Sequence, residues 1–553
     1  MSVITATITS GSGNTLMDPS YELLSIEIVK EVNRIPYAEI VLADGNPSKQ
    51  EFPISDTDFF EPGKLITIKL RYESEGKDTL VFKGVVVGQG LSATRSGSQL
   101  RVQLKDQAMK MTLARKSAVY TEKTDDKILK DIITKAGLTA GKIEATKPKH
   151  DPKEKQQLVQ YYSTDWDFIL SRAEANGLIV VVNDGEVSLQ KATLSGSADH
   201  SYEFGIDSIY TFDVDADAQQ QVPDVQGTAW DIKTQKPTAP VTGAPFALKQ
   251  GNLKGDQIAK TLKNDSLILN SPVPLDPKEV QAWVDGATLR TRLSMMRGFI
   301  SVPGQADILP FNLLELKGFG QRFNGTTLIT GVRHSVDENG WQTDVQFGLS
   351  TEPFKTQPDI VDVGAAGLVP AVNGLQIGIV ADFEADPAKE YRVKVILPGI
   401  DEKLGAVWAR LATPDAGLER GFFFMPEKGD EVVVGFFNDD PRQPVILGAM
   451  FSSKNKLPAA IPPPDKDNKM KGIVTKQGSQ FIFLDDKKSE ILIQTPEENY
   501  IGISDDQQGI FLVDQHGNEI TMNKDGITIK SAKDINIEAS GNVTIKGSKV
   551  DVK

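Results

Sequence analysis

The chain contains no cysteine, which excludes disulfides, thiolate metal sites and a cysteine nucleophile. Histidine is nearly as scarce: His150, His200, His334 and His516 lie far apart without ligand-like spacing, and each reads as a surface or turn residue, not a metal ligand. Basic charge is not in excess. Formal net charge is -14 and pI about 5.0, whereas a nucleic-acid binder needs a basic face to replace phosphate counterions. The nearest thing to a basic run, Lys147, Lys149, Lys153 and Lys155, is interrupted by Asp151 and Glu154 and reads as a solvated loop. No apolar run approaches bilayer-spanning length, and residues 1–10 carry neither a charged n-region nor an apolar h-region. The expectation is cytoplasmic synthesis without a signal peptide.

Enzyme signatures are missing too. Neither G-x-S-x-G, P-loop nor G-x-G-x-x-G occurs. The carboxylate pairs Asp439-Asp440 and Asp485-Asp486 are adjacent and sit at turns, whereas acid/base catalysis needs opposed side chains in a cleft. Asp213, Asp215 and Asp217 open like a calcium loop, but Ala218 replaces the turn glycine and Asp224 the closing glutamate. No catalytic residue, metal site or cofactor is expected.

What is present is a repeat. Triplets with apolar outer members recur from residue 480 onward, starting at Phe481, Ile491, Ile501, Ile510, Ile520, Ile527, Ile535, Val543 and Val550. Their starts are 10, 10, 9, 10, 7, 8, 8 and 7 residues apart. Alternation of this kind has the strand period of two, and a short recurring period means stacked strands. Strands so short bury about two apolar side chains each and leave ladder edges open, so one chain cannot hold them. Three chains about a common axis can. The expected trimer core is Ile491, Ile493, Ile501, Ile503, Ile520, Met522, Ile527, Ile529, Ile535, Ile537, Val543, Ile545, Val550 and Val552. The closer late spacing predicts a shaft that narrows toward Lys553. From Phe481 to Ile520 two lysines face nine acidic residues, net -7; from Thr521 to Lys553 six lysines face four, net +2.

With 553 residues the chain is too long for one core. The fold expected is mainly β with a small α/β insert: two hub β-barrel-like units, an OB-fold barrel and a C-terminal intertwined trimeric β-helix. Residues 1–118 read as a first hub β-unit, with alternation in Leu65 to Leu70 after the Pro62-Gly63 turn. Residues 119–200 form the α/β insert. One helix there is capped by Thr124, a second starts near Ser163 or Thr164, and a hairpin turns at Asp184-Gly185. Residues 201–355 form a second hub β-unit holding a helix bracketed by Asp276-Pro277 and Gly298. A linker, 356–372, precedes five short strands in 373–452, among them Gly421 to Met425, that suit an OB barrel. A Pro-rich connector, 453–471, leads to the needle, 472–553.

Three stretches carry a resemblance. Gly421 to Phe436 (GFFFMPEKGDEVVVGF), followed by Asp440 to Gly448 (DPRQPVILG), resembles the OB-barrel signature of VgrG and contractile-tail spike proteins. Tyr161 to Ile169 (YYSTDWDFI), with Arg172-Ala173-Glu174 and Gly177-Leu178, resembles an element of their amino-terminal hub. Pro303-Gly304 with Gly318, Gly320, Phe323-Asn324-Gly325 and His334 resembles the hub's second β-unit. The resemblance implies a homotrimeric spike whose six hub units match the hexameric tail tube and baseplate proteins. Its OB barrels form a collar and its needle pierces a membrane. A PAAR-type tip protein, effector cargo and transient contact with a target membrane are implied partners, and nucleic acid is not. The machine is a type VI secretion system, a phage tail or an extracellular phage-tail-like particle, from which the spike is ejected. Residues 452–471 leave no room for a lysozyme insert, and no fused toxin is expected after the last triplet. The competing readings are a tail-associated cell-wall or glycan hydrolase, and an OB module binding glycans or nucleic acid through Phe422, Phe423, Phe424, Phe436 and Phe437. At least half of those aromatics are expected in the barrel core.

Overall fold

A computed structural model of the chain describes residues 3–46, 49–74, 76–94, 97–145, 149–150, 158–399 and 405–553. Lys147, Asp151, Lys153, Glu154 and Lys155 of the expected loop lie outside them, and of Lys149 only the backbone is described. The chain forms two compact units, residues 1–362 and 363–553.

In the first unit a strict two-residue period builds the sheet: in Leu65–Tyr72, Ile66, Ile68 and Leu70 are fully buried while Thr67 and Lys69 turn away. Strands of both expected hub units share one sheet. One continuous sheet runs from Thr15–Leu16 through Ile4–Ser10, Leu65–Tyr72, Thr79–Thr94, Gly97–Lys105, Tyr37–Ala43 and Leu23–Glu31. It continues through Gly325–Asp337, Gly340–Phe347 and Met296–Pro303 to Thr211–Ala216. The join is the antiparallel pairing of Leu23–Glu31 with Gly325–Asp337, where Arg333 stands opposite Val29. Two cores flank that join, one around Phe60, Phe82 and Trp341, the other around Ile300, Leu314 and Phe347. Long, bulged strands such as Gly325–Asp337 reach both cores, which is why the two halves share one sheet.

The insert holds helices α1 (Asp125–Lys135) and α2 (Asp165–Ala175) against the three-stranded sheet of Thr139–Ile143, Glu186–Gln190 and Ile179–Asn183. Asp184 and Gly185 both take positive φ, 50° and 91°, as a two-residue hairpin turn requires. Thr164 caps α2 by accepting from the Asp167 N–H at 3.0 Å. Thr124 stands at the N-cap of α1 but its hydroxyl makes no capping bond. Two further helices, α3 (Gly255–Leu262) and α4 (Pro277–Leu293), lie in the later half. Asp276 caps α4 with Pro277 at its first position, as expected, but the helix ends at Leu293 and not at Gly298. Gly298 lies in the strand Met296–Pro303, where a Cβ would stand 2.1 Å from the Asp213 carbonyl oxygen; its glycine serves close strand approach, not a helix stop.

Two histidines are not at the surface. His150 and His334 are buried. His334 Nδ1 shares a 3.0 Å hydrogen bond with Thr343 Oγ1, and burial holds its imidazole pKa down to about 3, so it is neutral. His150 belongs to the polar knot around Asp125 in the insert. Lys30, also buried, donates to Asn183 Oδ1 at 2.6 Å and ties the sheet to the insert's hairpin.

In the second unit five strands close a barrel in the order Gln376–Val380, Val393–Ile396, Val407–Leu411, Pro444–Ala449, Glu431–Phe436. Val407–Leu411 and Pro444–Ala449 pair in parallel and the rest antiparallel, the OB topology. Gln376–Val380 supplies the first strand, and the expected strand Gly421 to Met425 does not form. Only Arg420–Gly421 pairs, with Ala416–Gly417, and Phe422, Phe423, Phe424 and Phe437 are exposed, contrary to the core placement expected for half of the aromatics. The core is already filled by Val380, Val395, Ala409, Val432, Val434 and Ile446, with Phe436 packed against it.

After the barrel, seven strands form one antiparallel meander in sequence order: Met470–Val474, Gln480–Asp485, Ser489–Gln494, Tyr500–Ser504, Gly509–Val513, Glu519–Asn523 and Gly526–Lys530. The first six triplets lie on strands. The last three do not: Ile535, Ile537, Val543, Ile545, Val550 and Val552 are exposed outside any strand in the single chain. Ile482, Leu492 and Phe511 give the earlier strands a second apolar face, which is lost before the meander ends, since from Thr521 on the middle residues Thr521, Thr528, Asn536, Thr544 and Asp551 are polar.

Candidate assembly surface in the C-terminal sheet

Register collects the outer triplet residues onto one face. Phe481 stands opposite Ile493, Phe483 opposite Ile491, and Ile491 and Ile493 opposite Ile503 and Ile501 in turn. The ladder continues through Ile501 to Leu512, Ile503 to Ile510, Ile510 to Met522 and Leu512 to Ile520. It closes with Ile520 opposite Ile529 and Met522 opposite Ile527. Eight of the fourteen expected core residues thus share one face of the sheet, and six follow it in the segment without strands.

That face is unpartnered. Ile493, Ile501 and Ile503 are each 45–47% exposed and Ile527 is 68% exposed. The other face differs: Ile482 and Thr521 are buried, and Gly502 sits beneath Phe511. Contiguous exposed apolar surface on a soluble chain marks an interaction site, and each isoleucine moved from water into a core contributes roughly 1.5–3 kcal/mol.

The turns at one edge of the sheet repeat, a feature sequence reading missed. In residues 475–479, 495–499 and 514–518, the first residue's N–H donates to the fifth carbonyl at 2.8–3.1 Å. The fourth residue, Gly478, Glu498 or Gly517, has φ of 90°, 61° or 87° and donates back to the first carbonyl. Asp514 further accepts from the Asn518 amide at 2.6 Å, which with neighbouring backbone donors holds its carboxyl below the usual range. The signal was there: Gly478 and Gly517 occupy equivalent places, but Glu498 breaks the pattern. These turns fix register without any partner.

The remaining candidates are accounted for locally. Asp213 and Asp215 lie on the edge strand Thr211–Ala216, and Asp217 pairs with Arg297 at 3.3 Å. Asp440 is chelated by Arg442, Asp485 pairs with Lys471 at 2.7 Å and Asp486 with Lys469 at 3.1 Å. Among the described residues no group of three or more His, Asp or Glu could hold a metal ion.

The surface therefore lies in a segment built to be covered, and comparison with known families says by what. The family described as the Alg8 N-terminal domain matches residues 1–338, more than half of the chain. The chain belongs to the Alg8 N-terminal domain family. In this Alg8-type chain the family described as the type VI secretion system/phage-baseplate injector OB domain matches residues 376–451. The phage baseplate V C-terminal trimerisation domain matches residues 490–553, the stretch that carries the exposed face. The type VI secretion system spike protein VgrG3 of Vibrio cholerae is 33% identical over 136 residues, 23% of this chain and 13% of the relative. The actin cross-linking toxin VgrG1 of the same species is 26% identical over 196 residues, 33% of this chain and 17% of the relative. The chain thus matches under a fifth of the length of either. Among solved structures, a tail protein from Neisseria meningitidis MC58 superposes with TM-score 0.46 at 13% identity, covering 65% of this chain and 99% of its own. The Alg8-type chain is VgrG-like in domain content: an amino-terminal β-rich unit, an injector OB domain and a trimerisation module.

Proposed function

We propose that three copies of the chain assemble into the central spike of a contractile injection machine. The observation that carries this reading is the continuous exposed ladder of Ile, Leu and Met side chains on the segment matching a trimerisation domain. Three such faces turned inward make a dry core, and the late triplets, which no single chain can pair, acquire ladder partners on neighbouring chains. The three β-rich amino-terminal units then join a hexameric tail tube and its baseplate, the OB barrels form a collar, and the needle end meets a target membrane, with a tip protein of the PAAR type and effector cargo as further partners. In this reading the chain transmits force and catalyses nothing: sheath contraction drives the trimer outward, and a narrow needle concentrates that force on an envelope.

Labelling tests it. In particles purified from cells that make them, antibody against the full chain should mark one end of the tail, and cells lacking the chain should yield no complete particle. Label along the sheath, or intact particles without the chain, would contradict the reading.

A further inference from the structure

The amino-terminal unit holds a cavity of about 320 Å³ that its hydrophobic cores leave unfilled. That size lies at the lower end of the range for small-molecule sites, about 300–1,000 Å³. It arises from a helix face that glycine leaves bare. Trp283, Gly286, Ala287 and Arg290 stand three and four residues apart, so they share one face of α4, and all four line the cavity. A Cβ on Gly286 would stand 2.6 Å from the Gly177 Cα, and one on Gly177 would stand 2.9 Å from the Gly286 Cα. The two backbones touch there, and neither position can supply a side chain to the space between Trp283 and Arg290. Val222, Leu267, Leu269 and Leu349 add apolar wall. Residues 349–355 border the space and are tied down at three points. The Leu349 N–H donates to the Leu293 carbonyl at 3.1 Å, Arg290 Nη1 to the Glu352 carbonyl at 3.2 Å, and the Lys355 N–H to Glu174 Oε2 at 3.2 Å. Arg290 Nη2 also pairs with Glu174 Oε1 at 3.3 Å, so those two charges satisfy each other. Lys355 differs. Its ammonium lies 5.8 Å from the centre of the Trp283 ring, and no acid pairs with it among the described residues.

We infer that this cavity binds a small amphipathic monocarboxylate, its aliphatic tail over the bare face of α4 and its carboxylate on Lys355 Nζ. Charge selects the head group. Among the described residues the charged groups lining the cavity are Glu174, Arg290 and Lys355, two cations to one acid, on a chain whose net charge is -14. A metal cation is repelled by that balance, and a phosphate group needs more donors than one ammonium offers. The walls select the tail. They are apolar and give no partners for the main-chain amides of a peptide, whereas a hydrocarbon loses nothing on leaving water for them. The site lies wholly in the amino-terminal unit and does not depend on the trimer of the proposed function.

Calorimetric titration of the full chain with sodium octanoate, kept below the concentration at which it forms micelles, should show one saturable site per chain. 1-Octanol has the same tail without the charge and should bind at least about ten-fold more weakly, because a hydrogen bond between ionised groups is the stronger kind. Lys355→Gln should weaken octanoate about ten-fold and leave 1-octanol unchanged; the side chain is exposed, so the variant keeps its fold. Ala287→Leu fills the bare face and should abolish binding of both probes, with far-ultraviolet circular dichroism unchanged. The absence of saturable heat overturns the inference, as does equal affinity for octanoate and 1-octanol. A Lys355→Gln chain that binds octanoate like the parent overturns the assignment of the head group. A folded Ala287→Leu chain that binds octanoate like the parent overturns the inference by placing the ligand elsewhere, and should that variant not fold, Lys355→Gln decides alone.

Discussion

Replacing Ile501 and Ile503 together by aspartate should abolish the assembled protein and leave a folded monomer. Both side chains stand on the exposed face, Ile501 between Ile493 and Leu512, Ile503 between Ile491 and Ile510. In an inward-facing trimer the pair places six carboxylates in a core with no basic partner, at an effective cost of several kcal/mol per ion. In the single chain the same positions are almost half exposed, so the carboxylates remain hydrated and the meander, held by its turns and by the opposite face around Ile482, keeps its strands. An SDS-resistant oligomer band should disappear while the far-ultraviolet circular dichroism of strand is retained. An undiminished band would refute the inward placement, and loss of strand would show that the face serves the single chain.

Asp125→Ala should unfold the amino-terminal unit more readily than any surface change. The carboxylate is wholly buried at the start of α1, and four donors converge on it: His150 Nε2 at 2.7 Å, Arg172 Nη2 at 2.6 Å and Nε at 3.2 Å, and Asn176 Nδ2 at 2.7 Å. Arg172 continues to Glu279 on α4 at 2.9 Å, so one acid links α1, α2 and α4. Removing it leaves the buried Arg172 guanidinium only Glu279 as a counter-charge and takes the acceptor from His150 and Asn176, and breaking a buried pair of this kind costs about 3–5 kcal/mol. Thermal unfolding of the unit should fall by roughly 5–15 °C, since about 1 kcal/mol shifts a unit of this size by a few degrees. Burial by itself would raise the Asp125 carboxyl, but the His150 hydrogen bond, the Arg172 charge and the Asn176 amide outweigh it and hold its pKa at about 2. A depressed acid stabilises fully above its unfolded value near 4 and loses that contribution as pH falls toward 2. The stability difference between parent and Asp125→Ala should therefore be constant from pH 5 to 7 and shrink below about 4. A pH-independent difference would place the effect in packing alone.

The sequence disclosed what periodicity controls and concealed what depends on a second strand or a second chain. Alternation located most of the hub strands, and Asp276-Pro277 and Thr164 located helix starts, because those signals are local. Gly298 misled because a glycine needed for close approach to Asp213 looks the same in sequence as one that ends a helix. Gly421 to Met425 misled because aromatic alternation suits a barrel strand as well as an exposed ridge, and only the filled core of Val380, Val395 and Ile446 distinguishes them. The joining of both hub halves through Leu23–Glu31 and Gly325–Asp337 spans some 300 residues, beyond the reach of any local pattern. For the assembly surface, the triplets were legible and the turns that register them were not, since Glu498 stands where Gly478 and Gly517 stand in its neighbours.

The central claim, that the C-terminal face is one third of a core, is tested most directly by the native mass of the intact chain. One protomer is 60.3 kDa. The account predicts a single species of three times that mass at every protein concentration down to nanomolar, and a stable monomer or dimer under native conditions would contradict it.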